Sequence, residues 1–151
     1  MTPANTENLS QQERNTQTAI EYLQHIVDSS GRYGRESFDK AFALVSEDFE
    51  IEVLPTSVNM PKMKLPRYRK WLEPMVAGLF TDFTMKVLET TAQDNRVVIE
   101  ATSSAKTKDG RPYGMEYRIS FKFNDQGKIT LVKEYVDSLF TARFYGLIQE
   151  K

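Results

Sequence analysis

The sequence predicts an α+β fold, and three observations carry that expectation. Apolar residues recur at helical spacing from Ala19 to Val27 and again from Tyr68 to Leu79. After Phe80 the pattern becomes alternation: Met115, Tyr117, Ile119, Phe121 and Phe123 interleave with Glu116, Arg118, Ser120 and Lys122. Turn signals at Asp94-Asn95, Asp109-Gly110 and Asn124 to Gly127 divide the alternating part into strands. The order ααβαββββ puts a helix-rich first half before an antiparallel meander, which is the α+β pattern.

Residues 1–9 are polar and read as a tail, leaving 10–151 as one domain. Ser10-Gln11-Gln12-Glu13 has the S-x-x-E spacing of a capping box, so a helix is expected to begin there. It should stop near Ser30-Gly31. Tyr22 and His25 are the polar-tipped members of its apolar face, where packing is the plainer role for both. A shorter helix is expected over Ser37 to Ser46, burying Phe38, Ala41, Phe42 and Val45. Glu47-Asp48 then turns the chain into a strand, Phe49 to Leu54. Phe49, Ile51 and Val53 alternate there with Glu50 and Glu52, giving one buried and one wet face.

Pro55 to Pro66 is polar and broken by proline, a loop in which Met60 and Met63 could form a flexible lip over an apolar site. A plain surface loop is the simpler reading. The third helix starts near Pro66 and carries Tyr68, Trp71, Leu72, Met75, Val76 and Leu79. Pro74 should kink or split it. Strands follow at Phe83 to Thr91, Arg96 to Lys106, Tyr113 to Asn124 and Gly127 to Ser138, then an amphipathic tail, Leu139 to Ile148. In the last strand, period-two counting sets Ile129, Leu131, Lys133, Tyr135 and Asp137 against Thr130, Val132, Glu134, Val136 and Ser138. Both faces are mostly apolar, so packing on both sides is expected.

Lys plus Arg number 20, Asp plus Glu 21, and the net charge is −1, so no basic excess points to nucleic acid or an anionic membrane surface. Cys is absent and His occurs once, which excludes a thiol nucleophile, disulfides and Cys- or His-cluster metal sites. No phosphate-binding loop, nucleophile elbow or dinucleotide fingerprint is present. The expectation is a chain with no metal and no cofactor. Residues 1–9 lack the apolar core of a signal peptide, and no apolar run matches a membrane span, so a cytoplasmic location is expected.

Gly127 to Ser138 (GKITLVKEYVDS) resembles the last strand of SnoaL-like proteins. Glu47-Asp48 and Ala77-Gly78-Leu79-Phe80 are further anchors of a similarity over about residues 15–145. These proteins belong to the NTF2-like superfamily, with limonene-epoxide hydrolases, polyketide cyclases and ketosteroid isomerases as relatives. The resemblance implies a cone in which a curved antiparallel sheet wraps around three helices and encloses an internal pocket. It also implies a homodimer formed through the outer sheet face. In the epoxide hydrolases a Tyr and an Asn on the first strand hold the attacking water, and they match Ile51 and Val53. An Arg and an Asp on a middle strand match Glu100 and Thr102. The last acidic position matches Glu134, where alone the residue type survives. The ketosteroid-isomerase base would fall near Val53 or Leu54. Epoxide hydrolysis by that residue set is therefore not expected.

What remains is acid/base work by carboxylates and tyrosines in an apolar cavity. Glu134 lies between Val132 and Val136 on one strand face and is the candidate acid/base; its other reading is half of a buried ion pair. Glu100 is the second candidate carboxylate, and pairing with Arg118 or Arg96 is its other reading. Tyr22, Trp71, Met75, Met115 and Tyr117, with Ile51, Val53 and Thr102, are the expected substrate contacts, and the opening is expected on the Pro55 to Pro66 side. The function expected is a cofactor-independent isomerase, cyclase or dehydratase for an apolar, polyketide- or terpenoid-like small molecule. The alternative is a non-catalytic ligand-binding or dimerisation module.

Overall fold

The computed structural model describes residues 10–30 and 34–148. The expected tail at 1–9, the loop residue Gly31 and residues 149–151 lie outside them. Helix α1 spans Gln11–Asp28 and begins with the capping box: Glu13 N–H donates to Ser10 Oγ at 3.2 Å, and Ser10 N–H donates to Glu13 Oε2 at 2.8 Å. Helix α2 spans Gly34–Phe42, three residues earlier in its start than expected. Val45 and Ser46, expected in that helix, instead open strand β1, Val45–Leu54. The β-branched Val45 pairs with Ile129 of the last strand, and that long-range contact overrides the local helical spacing.

The loop expected from Pro55 to Pro66 contains a 3-10 turn, Thr56–Val58, and a two-residue edge strand β2, Met63–Lys64. Helix α3 covers Arg67–Glu73 and gives way at Pro74 to a π-helical turn, Pro74–Leu79. Proline cannot donate the N–H that a continuous α-helix needs, and the wider turn accommodates it. Strands β3 (Phe80–Gln93), β4 (Arg96–Thr107), β5 (Pro112–Phe123) and β6 (Ile129–Val136) follow, then helix α4, Ser138–Phe144. The turn before β6 is closed by Gly127, whose φ of +73° suits a residue without Cβ. Asn124 Oδ1 accepts there from the backbone N–H of Gln126 and Lys128.

The six strands form one curved, open sheet in the order β2-β1-β6-β5-β4-β3. Every pairing is antiparallel except β1 with β6, which is parallel. The chain leaves β1, crosses through α3 and the meander, and returns with β6 beside β1. The last strand thereby becomes interior, flanked by β1 and β5 along its length.

Helix α1 packs on α2 and across β3 and β4. The sheet's inner face contributes Phe49, Ile51, Ile99, Ile119, Phe121 and Val132 to the core, each essentially inaccessible. At about 1.5–3 kcal/mol per fully buried large apolar side chain, these residues dominate the favourable side of folding.

A bulge changes one expectation for β6. Lys122 pairs with Leu131, but Phe123 pairs with Ile129, so one residue is extra on β6. Ile129 therefore turns into the core beside Phe123 instead of sharing a face with Leu131. Thr130 Oγ1 donates to the Lys122 carbonyl at 3.2 Å within the bulge. The other expectation, packing on both faces of the strand, is not met within this chain, since Tyr135 on the outer side is 53% exposed.

Candidate active site

The cone's open end, between α1, the α3 segment and the inner sheet face, holds a cavity of about 480 Å³. That is a small-molecule volume. Its walls are apolar: Leu23 and Ile26 of α1, Trp71 and Met75 of the kinked helix, and Met115 of β5. Ser57, Val58, Asn59 and Met60 come from the loop between β1 and α3. Met63 of that loop does not join them; it pairs with Ile51 on the sheet edge and is buried there. The C-terminal segment contributes Thr141, Tyr145 and Leu147. Tyr145 Oη donates to Met75 Sδ at 2.9 Å, and Tyr113 stacks edge-on against Phe140 and Phe144. These contacts dock α4 against the rim.

Glu134 projects into this space. Its register partners are Val53 on β1 and Ile119 on β5, and Val132 and Val136 flank it on its own strand. The residue is half-buried and lines the cavity, and protein encloses its carboxyl at short range. Burial pushes its pKa up to about 7, and no neighbouring cation offsets that rise among the described residues.

Five tyrosines face the same cavity: Tyr22, Tyr68, Tyr113, Tyr117 and Tyr145. Burial is the first cause that holds each phenol well above its ordinary range, and the Glu134 charge adds to it in every case. These phenols stay protonated at neutral pH and act as hydrogen-bond donors. Tyr117 Oη is 2.9 Å from Ser103 Oγ and 3.5 Å from Tyr113 Oη, a short polar chain along the β4–β5 wall. The hydroxyls of Tyr22 and Tyr68 approach each other on the helical side. They lack hydrogen-bond geometry, and Tyr22 Oη has no partner among the described residues.

The structure brings together Glu134, Tyr22, Val53, Trp71, Met75, Met115 and Tyr117. It separates three of the expected residues from them. Ile51 is core, 1% exposed and behind the cavity wall. Glu100 and Thr102 stand on the outer sheet face, along a shallow groove with Leu88, Arg118 and Tyr135. There Arg118 donates to Glu100 Oε2 at 3.2 Å. The inward side chains of β4 are Ile99, Ala101 and Ser103, one residue out of step with the positions taken from the family comparison. A one-residue slip in a strand exchanges its faces, which is why both carboxylates could not share the cavity.

Tyr68, Tyr113, Tyr145 and Ser103 were not picked out from sequence. Tyr113 was within reach, because it continues the period of Met115 and Tyr117. Tyr145 was not, since it enters by the docking of α4.

No helix among the described residues is long and apolar enough to cross a membrane. No curated protein matches the sequence. Among solved structures, the chain is similar to the BvnE pinacolase of Penicillium brevicompactum at 19% identity and a TM-score of 0.77, covering 91% of this chain and 95% of that one. It is similar to PrhC of Penicillium brasilianum at 15% identity and the same TM-score, covering 91% and 89%. A candidate polyketide cyclase of Xanthomonas campestris matches at 20% identity and a TM-score of 0.68, covering 85% and 93%. At these identities the likeness concerns the fold. The sequence itself matches the SnoaL-like domain family over residues 26–132, most of the chain, and with the cone geometry this places the protein in that family.

Proposed function

We propose that this protein is a cofactor-independent isomerase or cyclase for an apolar small molecule, with Glu134 as its general acid/base. The observation that carries the reading is one carboxyl with a pKa near 7, set among aliphatic walls and facing protonated phenols. A pinacolase and a candidate polyketide cyclase share this fold, which supports a small-molecule role of this class.

In the reaction, the Glu134 carboxylate takes a proton from a carbon beside a carbonyl. The electron pair moves to the carbonyl oxygen, which accepts a hydrogen bond from Tyr117 or a neighbouring phenol. Neutral Glu134 then returns the proton to another carbon of the same enolate, or to a leaving hydroxyl in a dehydration. No atom is gained or lost in the isomerisation. A carboxyl titrating near neutrality serves both steps.

The non-catalytic reading draws support from Val53, a methyl-bearing side chain where the epoxide hydrolases place a polar water-holder. Replacing Glu134 by Gln and comparing turnover with thermal stability separates the two readings.

The partner proposed for the outer sheet face is a second copy of the chain. Leu88 (49% exposed) and Tyr135 (53% exposed) border the groove there. Sedimentation should give a dimer that Tyr135→Glu dissociates; a monomeric wild-type protein overturns this.

A further inference from the structure

We propose that the cavity takes a protonated amine on an otherwise apolar frame, with the ammonium seated at the Glu134 carboxylate. The inference rests on the reading of the cavity as the substrate site and adds to it the class of group the substrate presents.

Among the described residues, the cavity wall holds one charged side chain, Glu134, and no Lys, Arg or His. That carboxyl is also without a partner. The residue keeps accessible surface and lines the cavity, yet no described residue donates a hydrogen bond to its carboxyl or forms an ion pair with it. The hydroxyls around it are turned to other groups: Tyr117 to Ser103, Tyr145 to Met75 and Tyr22 toward Tyr68. The donor that the carboxyl lacks therefore comes from what fills the cavity.

Charge decides which donor fits. An anionic ligand meets like charge at Glu134 and finds no cation in the wall to hold it. A neutral alcohol supplies a hydrogen bond and leaves the carboxylate charge uncompensated. An ammonium supplies both the bond and the charge, and charge-assisted bonds are roughly twice as strong as neutral ones. The carboxylate is already desolvated by the fold, so binding adds only the desolvation of the ammonium. Aromatic walls reduce that cost. Tyr68, Trp71, Tyr113 and Tyr117 line the same space, and aromatic rings attract cations through their faces. The seat is compatible with acid/base work: one carboxylate oxygen accepts from the ammonium, and the other stays free to take a proton from carbon.

The test uses the full chain and its single tryptophan, Trp71, which lines the cavity and reports occupancy by fluorescence. The probes are 1-adamantanamine, 1-adamantanol and 1-adamantanecarboxylate, one rigid hydrocarbon cage carrying a cation, a neutral donor or an anion. The measurement is made at about pH 8, above the Glu134 pKa of about 7. Wild type should bind the amine roughly tenfold or more tighter than the alcohol, the worth of one charge-assisted hydrogen bond, and the carboxylate more weakly than either. Glu134→Gln should erase the advantage of the amine and leave the affinity for the alcohol unchanged. Equal binding of amine and alcohol by wild type overturns the inference, whether or not the variant folds. An amine preference that persists in Glu134→Gln overturns it too, and so does absence of a Trp71 response to all three probes. Failure of the acid/base reading shows differently: Glu134→Gln then keeps full turnover, while the amine preference of wild type stands.

Discussion

Tyr117 Oη lies 2.9 Å from Ser103 Oγ, across the adjacent strands β4 and β5 on the cavity wall. The serine fixes where the phenol points, and the phenol faces the space in front of Glu134. Tyr117→Phe removes the donor and keeps the ring. Turnover is expected to fall on the order of 10²–10³, the usual share of one donor to a developing oxyanion. Stability should change by only about 1 kcal/mol, the net worth of one hydrogen bond. Steady-state kinetics and a thermal melt check both, and a fully active Tyr117→Phe protein would move the donor role to another phenol.

Glu134→Gln keeps the shape of the side chain and removes its titration. A loss of roughly 10²–10⁴ in turnover is expected for a general acid/base, with folding unchanged or improved. Were Glu134 half of a buried ion pair, the same change would cost about 3–5 kcal/mol. An unstable but fully active variant would therefore sink the catalytic assignment and favour the binding module.

The raised pKa of Glu134 also makes stability depend on pH. The group titrates near 4.5 when unfolded and near 7 in the fold, so the folded state holds the extra proton between those values. Stability from this group is full below about pH 4.5 and is lost as pH rises toward and through 7, by an amount on the order of 3 kcal/mol. Urea unfolding at pH 5 and pH 8 should show that decline in wild type and a flatter profile in Glu134→Gln. Equal slopes in the two proteins would show that the carboxyl is not desolvated.

Glu100 should behave as a surface residue. Its ion pair with Arg118 is partly open to solvent and spans β4 and β5 on the outer face. Glu100→Gln is expected to leave turnover intact and to change stability by about 0–1 kcal/mol, the range for exposed pairs. A large loss of activity would bring the outer groove into the mechanism.

Local chemistry made much of this protein legible in its residues. The Ser10–Glu13 box starts α1 where its spacing says, because capping involves only neighbours in sequence. The alternation of Met115, Tyr117 and Ile119 assigns the β5 faces, because side chains on a strand point alternately to its two sides whatever lies above them. The same rule groups Glu134 with Val132 and Val136 on one face, and the family resemblance is what marks that face as the inner one. What depended on long-range packing was hidden. Two faces of β4 differ by one residue, and the family comparison took Glu100 and Thr102 for the inner one although Ile99 and Ala101 already marked it. The parallel pairing of β1 with β6 joins segments far apart in the chain, and it alone turns β6 into an interior strand whose carboxyl is desolvated. The bulge at Thr130, the entry of Tyr145 over the rim and the approach of the Tyr22 hydroxyl to that of Tyr68 likewise arise only when separate elements meet. Periodicity records which way a side chain points; burial, and with it the chemistry of Glu134, depends on what the rest of the chain brings to face it.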